Sequence, residues 1–322
     1  MQRRSKLVGR FAPSPTGRMH LGNIWAALLA WLAVRSQDGV MILRVEDLDP
    51  ERSKKSYSEQ LMKDLDWLGL DWDEGPGCGG IFAPYYQSER FGRYDVAFRR
   101  LVESGHAYPC FCSREERNAA SAPHRGEQTG IISDPCLEMS ALQRQIAMDT
   151  RRHTWRLHNH GEEIRFIDMN YGDFRHRLDM AQDHVVLKRS DGVYAYPLAV
   201  VADDGEMEVT QVVRGSDLLI STPVQLYLMD LLGYERPRYG HVPLLVDVYG
   251  HRLSKRQKSL DLGALIAAGW TAEGIIGFLA YQAGFANETA PVKARDLLDR
   301  FNWGIIGTQD LVLSEEALAQ AR

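Results

Sequence analysis

The chain carries the sequence RFAPSPTGRMHLGN at residues 10–23. These residues follow a short apolar strand, turn through two prolines and a glycine, and lead into an apolar helix from about Asn23. Amide groups at a helix N-terminus bind anions, Gly22 lets a flat ligand approach the backbone, and His20 can donate to phosphoryl oxygens. The stretch therefore predicts a nucleotide phosphate site at a strand-to-helix corner. It lacks the lysine of the P-loop signature, which argues against a kinase or GTPase.

Strand and helix signals alternate on both sides of this corner. Short apolar runs predict strands, and two amphipathic stretches, 58–68 and 91–102, predict helices. The predicted strands are 7–11, 40–45, 185–187, 198–201 and 209–213, with a further helix at 223–232. Tyr196 would then precede a strand. This alternation predicts an α/β fold with a parallel sheet.

The pattern changes twice further along the chain. Between residues 108 and 183, closely spaced cysteines and a polar loop rich in Ser, Ala, Arg and Gly indicate an inserted subdomain. After Val246, a basic loop is followed by mainly helical signals. We therefore predict two catalytic halves at 1–107 and 184–245, an inserted subdomain at 108–183, and the basic loop with a helical region at 246–322.

Composition bounds the class of protein. With 322 residues and 44% hydrophobic content, the chain can bury a full core in several domains. Its longest apolar run, residues 24–34, is well short of the roughly 20 residues that span a bilayer. We therefore expect a cytoplasmic protein with no membrane partner. A net charge of -5 means that any RNA contact must use local basic groups, such as Arg151, Arg152 and Arg256.

A basic loop, RLSKRQKS, stands at residues 252–259. A loop lysine can stabilise negative charge on an α-phosphate and on departing pyrophosphate. Alone, such a loop is most often a solvated basic turn, just as His20 alone could be a capping or core histidine. The two elements gain meaning together, because they stand at opposite ends of one catalytic unit.

Together these motifs resemble a known family. The APSPTG stretch at 12–17, the HLGN motif at 20–23 and the LSK motif at 253–255 are similar to the signature motifs of class I aminoacyl-tRNA synthetases, in their glutamyl and glutaminyl branch. The resemblance covers nearly the whole chain. It implies a Rossmann-like catalytic domain with an inserted subdomain and a C-terminal helical region, in which His20 and Lys255 are catalytic. It also implies that ATP, with Mg²⁺, is bound by His20, Gly22, Asn23, Ser254 and Lys255.

The same resemblance implies a glutamate pocket. Glutamate has one ammonium and two carboxylates, so its pocket needs an acid, arginines and hydrogen-bonding groups. The matching positions are Arg10, Phe11, Ala12, Pro13, Ser14, Glu46, Tyr196 and Arg214. We expect Glu46 to pair with the ammonium, and Arg10 and Arg214 to bind carboxylates. The alternative is that each arginine bridges a local acid, for example Asp217 beside Arg214.

Chain length separates two branches of this family. Full-length glutamyl-tRNA synthetases carry a large C-terminal anticodon-binding region, for which 322 residues leave no room. The chain instead resembles the short paralogues that activate glutamate without tRNA and transfer it to queuosine in the anticodon of tRNA(Asp). The expected partners are glutamate, ATP and tRNA(Asp) carrying queuosine, and we expect a monomer. Two alternatives stay open: a truncated enzyme that charges a tRNA acceptor end, and a non-catalytic RNA-binding paralogue.

Three cysteines in the predicted insert are candidate zinc ligands. Cys110, Cys112 and Cys136 supply thiolates, but a structural zinc site needs four ligands. The resemblance implies a tyrosine four residues before the last cysteine, where this chain has Ile132. A second interpretation is three reduced cysteines without zinc. If zinc is bound, the candidates for the fourth ligand are His124, Asp134 and a water.

Overall fold

A mainly parallel sheet of six strands is the centre of the fold. The computed structural model describes residues 6–113, 134–179, 183–251 and 260–313. Across the sheet the strands lie in the order β2 (Val40–Leu43), β1 (Val8–Phe11), β8 (Gln211–Gly215), β9 (Arg238–Val242), β5 (Glu163–Asp168) and β6 (Gly172–Arg177). Every neighbouring pair is parallel except β5 with β6. The α/β prediction is confirmed.

A smaller sheet lies beside the main one. Its antiparallel strands are β3 (Ala107–Cys110), β4 (Thr154–Leu157) and β7 (Val186–Lys188), and a separate parallel pair is formed by β10 (Leu245–Val246) and β11 (Leu311–Val312). Strand β5 falls in the range 108–183, yet it pairs with β9 of the main sheet. The apolar face of β5 gives the physical reason, because Ile164 is buried in the same core cluster as Tyr239.

Helices cover the sheets. Within the described residues the α-helices are α1 (Leu21–Arg35), α2 (Lys55–Trp67), α3 (Phe91–Glu103), α4 (Ala141–Thr150), α5 (Tyr196–Glu206), α6 (Thr222–Leu232), α7 (Leu262–Ala267) and α8 (Ala272–Gln282). Helix α1 packs against β1 and β8, and a C-terminal 3-10 helix at Ala294–Arg300 also contacts it. A helix that is apolar nearly all round fits this enclosed position. None of the helices in the described ranges is long and apolar enough to cross a membrane.

Residues 198–201 belong to helix α5, so the prediction of a strand there is wrong. The side chains from Leu198 to Val201 are all buried. A short apolar run that is buried on every side has no periodicity that would distinguish a helix from a strand. Pro197 lies in the first helical turn, where its missing N–H costs no hydrogen bond. Tyr196 therefore begins a helix instead of preceding a strand.

Candidate active site

The corner between β1 and α1 opens into a cleft of about 380 Å³. His20 directly precedes α1, and its backbone N–H donates to Asn23 Oδ1 at 3.3 Å. Gly22 lies in the first turn of α1, whereas Ser254 and Lys255 lie outside the described residues. The cleft is lined by these predicted residues: Arg10, Phe11, Ala12, Pro13, Ser14, His20, Asn23, Glu46, Tyr196 and Arg214.

The order of the strands explains why these residues meet. Strands β2, β1 and β8 are parallel neighbours, so their carboxyl ends lie at the same edge of the sheet. Arg10 and Arg214 are the next-to-last residues of β1 and β8, and Glu46 follows β2 by three residues. Ligands of open α/β sheets bind outside this edge.

A buried ionic network lies directly behind the cleft. Arg44 is fully buried; its Nη1 donates to Asp204 Oδ1 at 2.6 Å, and its Nη2 lies 3.4 Å from Glu46 Oε1. Arg10 Nε donates to the same Asp204 oxygen at 3.4 Å. Charges buried this deeply persist only when they are paired. Arg10 therefore bridges an acid of the chain, but one that lies far from it in the sequence.

Glu46 is poised to change its charge near neutral pH. Burial raises the pKa of Glu46 to about 7, although the neighbouring Arg44 and Arg10 guanidinium groups act to lower it. An ammonium group placed beside Glu46 would favour the ionised carboxylate. Burial and the charge of Glu46 also raise the pKa of Tyr196, so its hydroxyl stays protonated and can donate.

Arg214 differs from Arg10, because its hydrogen-bond partners among the described residues are neutral groups. It is 6% exposed. Its Nε donates to His241 Nε2 at 3.1 Å, its Nη1 to Gln225 Oε1 at 2.8 Å and its Nη2 to Thr222 Oγ1 at 2.8 Å. Its guanidinium carbon lies 5.0 Å from the centre of the Tyr239 ring. Within the described ranges no acid bridges Arg214, so the interpretation that paired it with a local acid is not supported by these contacts.

A second cleft of about 360 Å³ adjoins the first. The two clefts share Ser14, Thr16, Glu46 and Tyr196. The second cleft extends between the segment that follows β2 and the turn that precedes α5, and it is lined there by Asp49, Arg52, Gln87, Arg189 and Tyr194. The charged and polar side chains among these residues suit a second, polar substrate.

Three cysteines and an aspartate meet near the end of β3. Their ligand atoms all lie within 4.8 Å of one another, and they belong to Cys110, Cys112, Asp134 and Cys136. The Tyr108 hydroxyl donates to one oxygen of Asp134, and the Cys136 backbone N–H donates to the other at 3.0 Å. Three thiols and one carboxylate form a four-ligand set that suits Zn²⁺. Two residues considered for this site, His124 and Ile132, lie outside the described residues.

Comparison with known proteins identifies the family. Residues 6–292 match the family described as tRNA synthetases class I (E and Q), catalytic domain. The chain belongs to this family.

Relatives of this synthetase family match the chain over most of its length. Two of them, from Nitratidesulfovibrio vulgaris and Symbiobacterium thermophilum, are named Glutamyl-Q tRNA(Asp) synthetase and are each 44% identical, over 96% and 97% of this chain and 96% and 98% of their own. The Glutamate--tRNA ligase 2 of Alkalilimnicola ehrlichii is 41% identical over 84% of this chain and 57% of its own length. A crystal structure of a glutamate tRNA ligase from Elizabethkingia meningosepticum, in complex with its amino acid, has a TM-score of 0.83 at 27% identity and covers 98% of this chain and 69% of that one.

Membership of this synthetase family implies ATP with Mg²⁺ as the activating reagent.

The family motifs led to the residues that line the cleft, but not to the buried residues that contact them from behind. Arg44, Asp204 and His241 were not predicted. Arg44 offers a signal in hindsight, because it is a charge directly after the apolar strand β2. Asp204 offers a similar one, as the second of two acids, Asp203 and Asp204, that follow the apolar run of α5.

Proposed function

We propose that the chain condenses glutamate with ATP to glutamyl-adenylate without tRNA, and then transfers the glutamyl group to queuosine in the anticodon of tRNA(Asp). The observation that carries this proposal is the cleft at which Glu46, Arg214 and His20 converge. The name shared by the two relatives of 44% identity supports the choice of acceptor.

The first step is adenylate formation. An α-carboxylate oxygen of glutamate attacks the α-phosphorus of ATP, a new O–P bond forms, and the bond to pyrophosphate breaks. His20 donates to phosphoryl oxygens, and the Gly22 backbone amide and the Asn23 side-chain amide, both in the first turn of α1, bind them. Ser254 and Lys255 of the second family motif stabilise the departing pyrophosphate. Mg²⁺ that accompanies ATP supplies further neutralisation of charge.

Glutamate itself is held on the opposite side of the cleft. Its ammonium pairs with ionised Glu46, and the Tyr196 hydroxyl donates to the bound amino acid. Arg214 binds a carboxylate, and Arg10 contributes positive potential, reduced by its bond to Asp204. The segment from Phe11 through Ala12 and Pro13 to Ser14 forms the wall between the amino acid and ATP.

The second cleft is the proposed site of the acceptor nucleoside. A group bound there would face the adenylate, because the clefts share Ser14, Glu46 and Tyr196. A hydroxyl of the queuosine cyclopentenediol attacks the adenylate carbonyl, an ester bond forms, and the bond to AMP breaks. The hydroxyl proton passes to the departing phosphate or to water. No side-chain nucleophile is needed, because positioning can supply much of the rate.

Replacing Arg52 with alanine tests this assignment. Arg52 lines the second cleft but not the first. We expect Arg52→Ala to lower the rate of glutamyl transfer by about tenfold, the effect of one lost polar contact, and to leave ATP–pyrophosphate exchange unchanged. Arg165→Ala is the control, because Arg165 is an exposed arginine outside both clefts. Equal loss of transfer in both variants would mean that the effect is general attraction of RNA and not acceptor binding.

The proposed function is tested by transfer of labelled glutamate to total tRNA from cells that make queuosine and from cells that do not. ATP–pyrophosphate exchange is followed in parallel without tRNA. The proposal requires exchange without tRNA and label only on tRNA(Asp) that carries queuosine. Label on the acceptor end of tRNA(Glu) would instead support a truncated charging enzyme. The absence of exchange under both conditions would indicate a non-catalytic RNA-binding paralogue.

We also propose that Cys110, Cys112, Asp134 and Cys136 bind one Zn²⁺. The close approach of the four ligand atoms and the two hydrogen bonds that fix the carboxylate support this set. Zinc would hold the segment after β3 against the residues around Cys136, because a structural zinc site adds binding energy to the fold.

Replacing Asp134 with alanine tests the fourth ligand. We expect Asp134→Ala to weaken zinc binding by at least about a hundredfold, measured by competition with a chromophoric chelator. Asp149→Ala is the matched control, because Asp149 is an exposed acid on the neighbouring helix α4. Unchanged zinc affinity in Asp134→Ala would move the fourth ligand to His124 or to a water.

We propose that the region around the small sheet contacts tRNA. Arg151 and Arg152 are exposed there, while Arg256 lies outside the described residues. We further propose that the active form is a monomer. The expected compartment is the cytoplasm, where tRNA and ATP are available.

A further inference from the structure

Three neighbouring strands carry a continuous hydrogen-bonded row behind the glutamate cleft. Asp168 ends β5, His241 lies in β9, and Arg214 lies opposite His241 in β8. Asp168 Oδ2 and His241 Nδ1 are 2.6 Å apart, and Arg214 Nε and His241 Nε2 are 3.1 Å apart. Asp168 and His241 are both buried, and neither lines the cleft. Arg214 connects them to the cleft, because His241 contacts Arg214 directly and also contacts Thr222 Oγ1, itself a partner of Arg214, at 3.1 Å.

The chemistry of the row fixes its proton positions. Burial alone would raise the pKa of Asp168, but hydrogen bonds from His241 and from backbone N–H groups lower it below its usual value. Asp168 is therefore ionised and can only accept, so His241 Nδ1 carries the proton. Burial lowers the pKa of His241, so the ring is neutral and its Nε2 is an acceptor. Arg214 Nε can only donate, and it meets that acceptor.

The row leaves Arg214 suited to a carboxylate. A guanidinium has five N–H groups, and Arg214 uses three of them, on His241, Gln225 and Thr222. The remaining two match the two oxygens of one carboxylate. The other arginines that line the cleft, Arg10 and Arg18, each bridge an acid of the chain. Among the cleft arginines, Arg214 is the one whose charge is not already paired by a contacting acid in the described ranges.

We propose that Asp168 and His241 are positioning residues that hold Arg214 as the receptor for the side-chain carboxylate of glutamate, and that they thereby set the preference for glutamate over glutamine. The inference rests on the proposed function. The α-carboxylate loses its charge when the adenylate forms, whereas the side-chain carboxylate stays an anion through both steps. A fixed guanidinium whose charge is not paired by a contacting acid in the described ranges suits the side-chain carboxylate. Glutamine offers an amide that cannot pair with it.

Two substitutions of His241 separate the acceptor role from simple packing. Glutamine can place its amide oxygen near the position of Nε2, so His241→Gln keeps an acceptor for Arg214. Asparagine reaches only the position of Nδ1, so His241→Asn keeps the contact with Asp168 and leaves Arg214 Nε without an acceptor. Both changes replace the ring by a smaller amide, so each controls for the lost volume of the other.

The measurements are KM for glutamate and for ATP in pyrophosphate exchange, and the ratio of kcat/KM for glutamate to that for glutamine. We expect His241→Asn to raise KM for glutamate by about 10-fold to 100-fold and to lower the selectivity ratio by a similar factor, with KM for ATP unchanged. His241→Gln, which keeps the acceptor for Arg214 but loses the contact with Asp168, should lie between the wild type and His241→Asn. Equal behaviour of the two variants, or a rise of both KM values with an unchanged ratio, would overturn the proposal.

The proton positions can be measured in the wild-type chain even if His241→Asn fails to fold. Ring nitrogen chemical shifts distinguish the two neutral tautomers of histidine, and the signal that disappears in His241→Gln assigns His241. A proton on Nε2 would contradict the hydrogen bond in which His241 Nε2 accepts from Arg214 Nε. If the wild-type protein shows no glutamate-dependent exchange, the proposed function itself is contradicted. If the wild type is active and the His241 variants have the same KM for glutamate and the same selectivity as each other, only this inference is contradicted.

Discussion

Replacing Arg214 with glutamine is expected to lower kcat/KM for glutamate in pyrophosphate exchange by about a thousandfold, since a buried charge that loses its partner costs roughly 3–5 kcal/mol. Arg214 is 6% exposed, and its three hydrogen bonds within the chain go to neutral groups. Its charge is therefore available to the substrate carboxylate, and an amide cannot replace it. KM for ATP should change little, because the proposed ATP site lies at the other side of the cleft.

Two further variants show which property of Arg214 matters. Arg214→Lys keeps the charge but loses the planar fork, so it should fall between the wild type and Arg214→Gln. Arg236→Gln removes a surface arginine that pairs with Asp230, and it should leave every constant unchanged. Thermal unfolding of each variant is measured alongside. If folded Arg214→Gln kept the wild-type KM for glutamate, Arg10 would become the principal carboxylate receptor.

The sequence was most informative where function depends on contiguous residues. The stretch 10–23 contains a strand end, a turn and a helix start, so it predicted the corner at His20 without knowledge of the rest of the fold. Arg10 and Arg214 follow apolar runs that form strands, and parallel strands end at one edge of the sheet. Local patterns and this fold rule account for Arg10 and Arg214, whereas the full set of residues that line the cleft came from the resemblance to the family.

The supporting contacts could not be predicted in this way because they join distant parts of the chain. Arg44 and Asp204 are 160 residues apart, and Asp168 and His241 are 73 apart. Their pairing depends on the order and register of strands, which hydrophobic periodicity does not encode. The uniform burial of α5 hid its helical character for the same reason, because burial on every side removes the period. Asp134 was one candidate among three, and the fold places its carboxylate beside the cysteines, two of which lie close to it only in the folded chain.

Glutamate binding without ATP is expected to weaken by about tenfold from pH 8 to pH 6, because protonated Glu46 cannot pair with an ammonium. Burial raises the pKa of Glu46 to about 7 against the opposing effect of Arg44 and Arg10. Below that pH the incoming ammonium must displace a proton, and above it the carboxylate is already ionised. Titration calorimetry across this range gives the dissociation constant. His241 does not share this transition, because burial lowers its pKa.

Replacing Glu46 with glutamine should remove this pH dependence and weaken glutamate binding, while it stabilises the unliganded fold. The pKa of Glu46 rises from 4.5 to about 7 on folding, so the folded state holds the proton more tightly. Ionisation therefore destabilises the fold progressively from pH 4.5 to 7, by about 3 kcal/mol above that range. A glutamine cannot ionise, so Glu46→Gln should unfold at a higher temperature than the wild type at pH 8. The exposed Glu89→Gln is the control, and a Glu46→Gln variant that kept the pH dependence would show that another group binds the ammonium.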